Sequence, residues 1–125
     1  MESNGRAKIL LVEDHDDTAR VLARLLNLSG YHVRTAGTFA SAMALCGQHQ
    51  FDLLISDVGL PDGSGYDLMR EILARRCVAK GIAVSGYGSE QDVENSMNAG
   101  FSEHLVKPVD FAVLHEAIRR VVPQG

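Results

Sequence analysis

The sequence predicts an α/β fold in which five parallel strands form one sheet with helices on both faces. Short apolar runs of strand length alternate five times with segments of helical periodicity, and turn-forming residues separate them. Strict strand–helix alternation favours parallel strands joined by right-handed crossovers. Five such units fit the flavodoxin-like, doubly wound (βα)5 fold with strand order 2-1-3-4-5. We expect a single domain over residues 1–125, with flanks at residues 1–6 and 123–125.

The first unit begins at residues 7–12, a continuous apolar run typical of a buried strand. Asp16 and Asp17 are the candidate N-caps of the helix that follows, and Gly30 ends it. Three apolar residues of this helix recur at the spacing i, i+4, i+7, which predicts its buried face. They are Val21, Leu25 and Leu28.

The second unit and the third strand follow the same pattern. Residues 31–36 predict strand two, and Thr38 caps a short helix that runs to Gly47. The inward residues of this helix are Phe39, Ala42 and Leu45. Residues 52–57 predict strand three, an apolar run that ends in Asp57.

A loop rich in turn residues, 58–65, leads from strand three into a helix over residues 66–76. The apolar residues that predict the buried face of this helix are Leu68 and Ile72. Residues 81–85 then form the fourth predicted strand, and residues 86–88 a loop.

The last segments complete the fifth unit. Ser89 caps a fourth helix, which runs to about Asn98 and carries acidic residues in its first turn, where they suit the helix dipole. Residues 102–106 predict strand five, and residues 110–122 a final helix that ends before Pro123. Its inward residues are Leu114, Ile118 and Val121.

Composition excludes several classes of partner. A net charge of −4, with no stripe of Lys and Arg, argues against direct binding of nucleic acid. The sequence contains no apolar run of ~18 residues and no signal-peptide core at the N-terminus. We therefore expect a cytoplasmic domain that has no membrane contact.

Polar side chains gather where the predicted strands end. Glu13 and Asp14 follow strand one and Asp57 ends strand three, and the carboxyl ends of these strands flank the ligand crevice of the fold. Two like charges ~5 Å apart repel by roughly 3 kcal/mol at an effective dielectric of ~20. Three carboxylates together therefore predict a bound divalent cation. Ser85 and Lys107 lie at the ends of strands four and five, so we expect them at the same edge of the sheet.

On these residues the chain resembles the receiver domain of two-component response regulators and hybrid sensor kinases, over residues 8–121. Glu13 and Asp14 match the acidic pair of that family, and Asp57 matches its phosphoacceptor. The loop over residues 60–65 resembles the Pro-Asp-x-x-Gly loop that follows the phosphoacceptor.

The resemblance implies roles for the remaining site residues. Ser85 matches the switch hydroxyl, and Lys107 the lysine that binds a phosphoryl oxygen. The bond from Lys107 to Pro108 is cis in the family. The backbone carbonyl of Gly59 joins the acidic pair and the phosphoacceptor as a Mg²⁺ ligand. His104 stands where the family has Tyr or Phe, so it is the candidate switch ring.

The implied function is Mg²⁺-dependent transfer of a phosphoryl group to Asp57 from the phosphohistidine of a histidine kinase or phosphotransfer domain. The transfer switches the face formed by helix four, strand five and helix five, which acts on a downstream protein or a fused domain. The resemblance also allows a dimer that forms on phosphorylation. As an isolated domain the chain is expected not to be an enzyme, because it catalyses only its own phosphorylation and dephosphorylation.

The resemblance also implies a position for this domain within a longer protein. Residues 56–65 most resemble receivers at the C-terminus of hybrid sensor histidine kinases. Residues 1–7 read as an interdomain linker with an added start, and residues 123–125 suit a chain end. The parent protein could then be a histidine kinase.

Two alternative functions share this fold or chemistry. A flavin-binding electron carrier would cradle a phosphate in the loop after strand one, but the acidic residues from Glu13 to Asp17 would repel it. A metal-dependent phosphatase with an aspartyl nucleophile normally carries a second acid two residues further on, and that position is Gly59.

Overall fold

The computed structural model describes residues 7–123. The predicted N-terminal flank, residues 1–6, lies outside this range, as do residues 124–125 of the predicted C-terminal flank 123–125. The described chain contains seven strands and five helices. They are β1 (Lys8–Val12), α1 (Asp16–Leu28), β2 (His32–Ala36), α2 (Phe39–Cys46), β3 (Leu53–Asp57), β4 (Gly59–Leu60), β5 (Gly63–Ser64), α3 (Gly65–Ala74), β6 (Gly81–Ser85), α4 (Glu90–Ala99), β7 (Glu103–Val106) and α5 (Phe111–Val121).

Five strands form one sheet in the order β2-β1-β3-β6-β7, and all neighbours are parallel. Because β4 and β5 form a separate two-residue antiparallel hairpin within the 58–65 loop, this order is the predicted 2-1-3-4-5. The flavodoxin-like prediction is confirmed.

The register aligns the carboxyl ends of the strands that carry the predicted site. Val12 pairs with Ser56, and Asp57 pairs with Val84, one residue before Ser85. The residues directly beyond these pairs therefore meet at one edge of the sheet.

Alternating strand residues build a hydrophobic core on each face of the sheet. Leu10 and Leu54 point into the core beneath α2 and α3, while Ile9 and Ile55 point into the core beneath α1 and α5. All four are almost fully buried. Burial on both faces is why β1, β3 and β6 read as continuous apolar runs. No helix in the described part of the chain is long and apolar enough to cross a membrane.

Side chains cap α2 and α4 at the predicted residues. Thr38 and Ser89 each accept a hydrogen bond from the backbone N–H three residues on and complete capping boxes with Ser41 and Asp92. Gly100 ends α4 in the left-handed region, with φ of +113°.

The predicted N-cap of α1 is wrong. The cap position is His15, which makes no side-chain cap bond, and Asp16 and Asp17 lie in the first turn instead. Acidic residues in that turn still favour the helix through its dipole.

The predicted buried face of α1 is also wrong. Val21 is 57% exposed and Leu28 76% exposed, and Leu25 is only half-buried. The helix instead turns a second apolar stripe toward the sheet, comprising Ala19, Leu22, Ala23 and Leu26. By helical spacing the exposed stripe shares its face with Asp17 and Arg24, which is why that face stays in water.

Gly65 makes the closest backbone approach in the site region, because α3 begins directly against the end of β3. A Cβ atom at Gly65 would collide with the carbonyl oxygen of Asp57 and the Cα of Val58. We expect Gly65→Ala to lower the free energy of unfolding by about 1–3 kcal/mol, since the backbone must shift to relieve the overlap. Urea denaturation measures this change.

Gly59→Ala is the matched control, since a Cβ there meets nothing within 4 Å. It should change stability little. Equal stabilities for the two variants would show that α3 and β3 can separate without cost.

Candidate functional site

Asp57 is a buried carboxylate held by one ammonium group. Its side chain is 5% exposed, and Lys107 Nζ donates to its Oδ1 at 2.8 Å. Asp57 ends the central strand β3, whereas Lys107 follows the edge strand β7. The ion pair therefore joins the centre of the sheet to its edge.

Glu13 shares the same ammonium. Its side chain is 4% exposed, and its Oε1 lies 3.3 Å from Lys107 Nζ. Its Oε2 accepts a hydrogen bond from the backbone N–H of His15 at 3.0 Å, which fixes the carboxylate at the entrance to α1. Two buried carboxylates thus compete for one positive charge.

Asp14 adds a third, exposed carboxylate. One oxygen each of Glu13, Asp14 and Asp57 lie within 4.8 Å of one another. Hard carboxylate oxygens around a shared centre are the ligand type that Mg²⁺ prefers, and three carboxylates exceed what Lys107 alone can neutralise. The donor set fits a divalent cation. Gly59, which begins β4, lies two residues beyond Asp57, where its backbone carbonyl could join the set.

The pKa values of these groups reflect that competition. Burial and the neighbouring Glu13 raise the pKa of Asp57 to about 7, against the opposing effect of Lys107. Burial alone would raise the pKa of Glu13, but hydrogen bonds with Asp57 and the His15 backbone, and the charge of Lys107, lower it overall. Without a metal, Asp57 is therefore the group that retains a proton.

Ser85 lies at the same edge of the sheet, but its hydrogen bonds join it to the backbone of Tyr87 and Lys107. Its buried hydroxyl accepts from the backbone N–H of Tyr87 at 3.0 Å, and its carbonyl accepts from the backbone N–H of Lys107 at 2.8 Å. The Lys107–Pro108 peptide bond is cis, as the resemblance implied.

His104 bridges α4 and the loop that follows Ser85. Its Nε2 lies 2.8 Å from the carbonyl oxygen of Tyr87, and its Nδ1 lies 2.6 Å from the hydroxyl of Ser96, a fully buried residue. A carbonyl can only accept, so Nε2 carries the hydrogen, and in the neutral ring Nδ1 accepts from Ser96. The ring is thereby fixed in one tautomer and one orientation.

Sequence reasoning assigned no contact to three residues of this region. Ser96 on α4 is the buried partner of His104, and Gly65, part of the predicted loop motif, permits the contact of α3 with Asp57. Asp62, in the same motif, accepts from two backbone N–H groups at the start of α2. No local pattern marked these contacts, because each joins two different elements of the fold.

Comparison with known proteins identifies relatives of this chain. The sequence profile of the response regulator receiver domain matches residues 9–119. The response regulator protein PilR of Pseudomonas aeruginosa is 34% identical over 90% of this chain, which covers only 25% of PilR. The sensor histidine kinase RcsC of Salmonella typhimurium is 28% identical over 94% of this chain, which covers 12% of RcsC. A solved response regulator receiver domain protein (CheY-like) from Methanospirillum hungatei has a TM-score of 0.85, with 31% identity and 92% of both chains covered.

The raised pKa of Asp57 predicts an unusual dependence of stability on pH in the absence of metal. From its ordinary value of 3.8 up to about 7, the folded chain binds a proton on Asp57 that the unfolded chain has released. The contribution of Asp57 to the free energy of unfolding should therefore fall as pH rises through this window, opposite in sign to that of the carboxyl groups whose pKa is lowered. Chemical denaturation in a chelating buffer measures it.

Asp57→Asn is the control, because it removes the titrating group. The difference between wild-type and Asp57→Asn curves isolates this contribution, and saturating Mg²⁺ should abolish it by displacing the proton. Parallel curves for the two proteins would contradict the assignment.

Proposed function

This chain belongs to the response regulator receiver domain family, and from that premise we propose that Asp57 accepts a phosphoryl group from the phosphohistidine of a histidine kinase or phosphotransfer domain. The observation that carries the proposal is the placement of buried Asp57 against Lys107 and within 4.8 Å of two further carboxylates. Aspartate is a competent oxygen nucleophile, and phosphoryl transfer depends mainly on positioning and on neutralising charge.

The proposed reaction is a single displacement at phosphorus. An Asp57 carboxylate oxygen forms a bond to phosphorus while the phosphorus–nitrogen bond breaks. The electron pair of that bond stays on nitrogen, and the donor imidazole, which carries a proton on its other ring nitrogen, leaves as a neutral ring. Bound Mg²⁺, held by Glu13, Asp14, Asp57 and the Gly59 carbonyl, would neutralise charge on the phosphoryl oxygens. Lys107 Nζ would pair with another phosphoryl oxygen.

The donor must approach the site beside Lys107, the group that contacts the buried Asp57 carboxylate. A groove of about 250 Å³ opens beside Glu13 and Lys107. Its other lining residues are His15, Thr18, Leu22, Val84 and Val109. The apolar part of this lining suits an imidazole ring, and Lys107 suits the phosphoryl group that the ring carries.

Switching would run from Ser85 through the loop to His104. Ser85 Oγ now accepts from the Tyr87 backbone, and a phosphoryl group on Asp57 offers oxygens that attract the hydroxyl as a donor. Since the carbonyl of Tyr87 is held by His104, movement of this loop must shift the imidazole and its bond to Ser96 on α4. The face of α4, β7 and α5 would carry the signal to a downstream protein, a fused domain or a second phosphorylated copy.

The isolated chain would act only on itself, promoting its own phosphorylation and dephosphorylation. The similarity to the sensor histidine kinase RcsC supports a parent protein that is a hybrid kinase, with the phosphodonor supplied in the same chain or by a separate phosphotransfer domain. The acidic loop after β1 and the glycine at position 59 disfavour the flavin-carrier and phosphatase alternatives.

The test of the proposal is chemical labelling. Incubation with a small-molecule phosphodonor and Mg²⁺ should place one phosphoryl group on Asp57, identified by mass spectrometry. Chelation of Mg²⁺ should abolish labelling, and Lys107→Ala should slow it on the order of 10²-fold, because a fixed positive charge is removed from the transition state. Equal labelling of Asp57→Asn would sink the proposal.

His104 links the loop after Ser85 to α4 through the Tyr87 carbonyl and the buried Ser96 hydroxyl. His104→Ala removes both hydrogen bonds, so the response of α4 to a phosphate mimic should weaken, because movement of the loop no longer reaches Ser96. Amide NMR spectra at saturating Mg²⁺ measure it. An unchanged α4 response in His104→Ala would exclude His104 from the switch.

A further inference from the structure

The β4–β5 hairpin (residues 58–65) is tied to the start of α2 by a single side chain. Asp62 Oδ1 accepts from the backbone N–H of Phe39 at 2.7 Å, and its Oδ2 accepts from that of Ala40 at 3.1 Å. Asp62 lies 22 or 23 residues from these partners along the chain, at the exposed tip of the hairpin. The two backbone N–H groups lower its pKa, as expected for an ionised acceptor at a helix N-terminus.

The start of α2 is a rigid anchor for this bond. Thr38 and Ser41 form a complete capping box, so two of the first N–H groups of the helix are satisfied locally. The N–H groups of Phe39 and Ala40 are the ones left over, and Asp62 supplies their acceptors. The hairpin also packs against this anchor, since a Cβ at Gly63 would lie 2.9 Å from the Phe39 ring.

Other contacts hold the hairpin at its base. Two residue pairs, Gly59 with Ser64 and Leu60 with Gly63, close it on itself, and the Gly65 N–H donates to the Val58 carbonyl at 2.6 Å. The Val58 N–H donates to the Val84 carbonyl at 3.0 Å, which ties the base to β6, and Val58 and Leu60 pack against the core. None of these hydrogen bonds involves the tip, where Asp62 makes the bonds to α2.

We propose that Asp62 is a positioning residue for the metal and phosphoryl site: by tying the hairpin tip to α2, it sets the orientation of the segment that carries Gly59. The inference rests on the proposed function, in which the Gly59 carbonyl is a metal ligand. Removing a group that orients a metal ligand typically lowers metal affinity or activity 10–100-fold.

The experiment separates positioning from helix capping. Asp62→Ala removes both acceptors, Asp62→Asn retains one acceptor oxygen, and Thr38→Ala weakens the same helix N-terminus without touching the hairpin. Two readouts apply to each: amide hydrogen exchange of residues 59–65 in metal-free protein, and the Kd for Mg²⁺ from NMR titration.

We expect Asp62→Ala to raise the Kd for Mg²⁺ about tenfold and to accelerate exchange in the hairpin. Asp62→Asn should recover most of the affinity. Thr38→Ala should lower the melting temperature and accelerate exchange at Ser41, yet leave the hairpin and the Kd unchanged.

A wild-type Kd in Asp62→Ala, or an equal loss in Thr38→Ala, would overturn the inference, since Asp62 would then be only a helix cap. Its failure is distinguishable from failure of the proposed function. If wild type labels on Asp57 in a Mg²⁺-dependent way while the Asp62 and Thr38 variants behave alike, only the positioning role is lost. If wild type binds Mg²⁺ but is never labelled, the phosphoacceptor role is lost. The Kd comparison among the variants still decides the positioning role, because it does not depend on labelling.

Discussion

The buried pair of carboxylates around one ammonium is the constraint on which the rest of the site depends. Asp57 and Glu13 are almost fully removed from water, and Lys107 is the cation that contacts both. Leaving a buried charge unpaired is strongly destabilising. The ends of β1, β3 and β7, which carry Glu13, Asp57 and Lys107, must therefore meet at the same edge of the sheet. Since Glu13 and Lys107 are 94 residues apart, only the completed sheet can bring about this meeting. The residual negative charge suits the site to a divalent cation, on which the proposed phosphoryl transfer depends.

Around this centre, backbone groups rather than long side chains limit movement. Glu13 is fixed by the His15 N–H, and the strand end at Asp57 lies so close to Gly65 that no side chain fits between them. By contrast, the hydroxyl of Ser85 and the carbonyl of Tyr87 are each held by a single hydrogen bond, and the one at Tyr87 comes from the His104 ring. Asp57, the proposed nucleophile, therefore lies on the rigid side of the site. The hydrogen bonds that the proposed phosphorylation would exchange lie on the other side.

Sequence reasoning was most accurate where local physics decides the outcome. The strand β6 was predicted at its observed bounds because burial on both faces leaves a continuous apolar run. Thr38 and Ser89 were predicted as caps because a hydroxyl satisfies an N–H three residues away, within the same segment. The face of α1 was mispredicted because that helix carries two apolar stripes, and periodicity alone cannot tell which stripe the sheet will cover.

The sequence by itself determined the strand order and, through it, the shared edge that holds Glu13, Asp14, Asp57 and Lys107, because parallel strands joined by helices must all end on the same side. Only the tertiary structure decided that Asp62 bonds to α2 and that His104 bridges Tyr87 to the buried Ser96. These contacts join residues from different units, and their existence depends on the angle and depth at which each element packs. Those quantities follow from the shape of the whole core, which no local pattern of residues encodes.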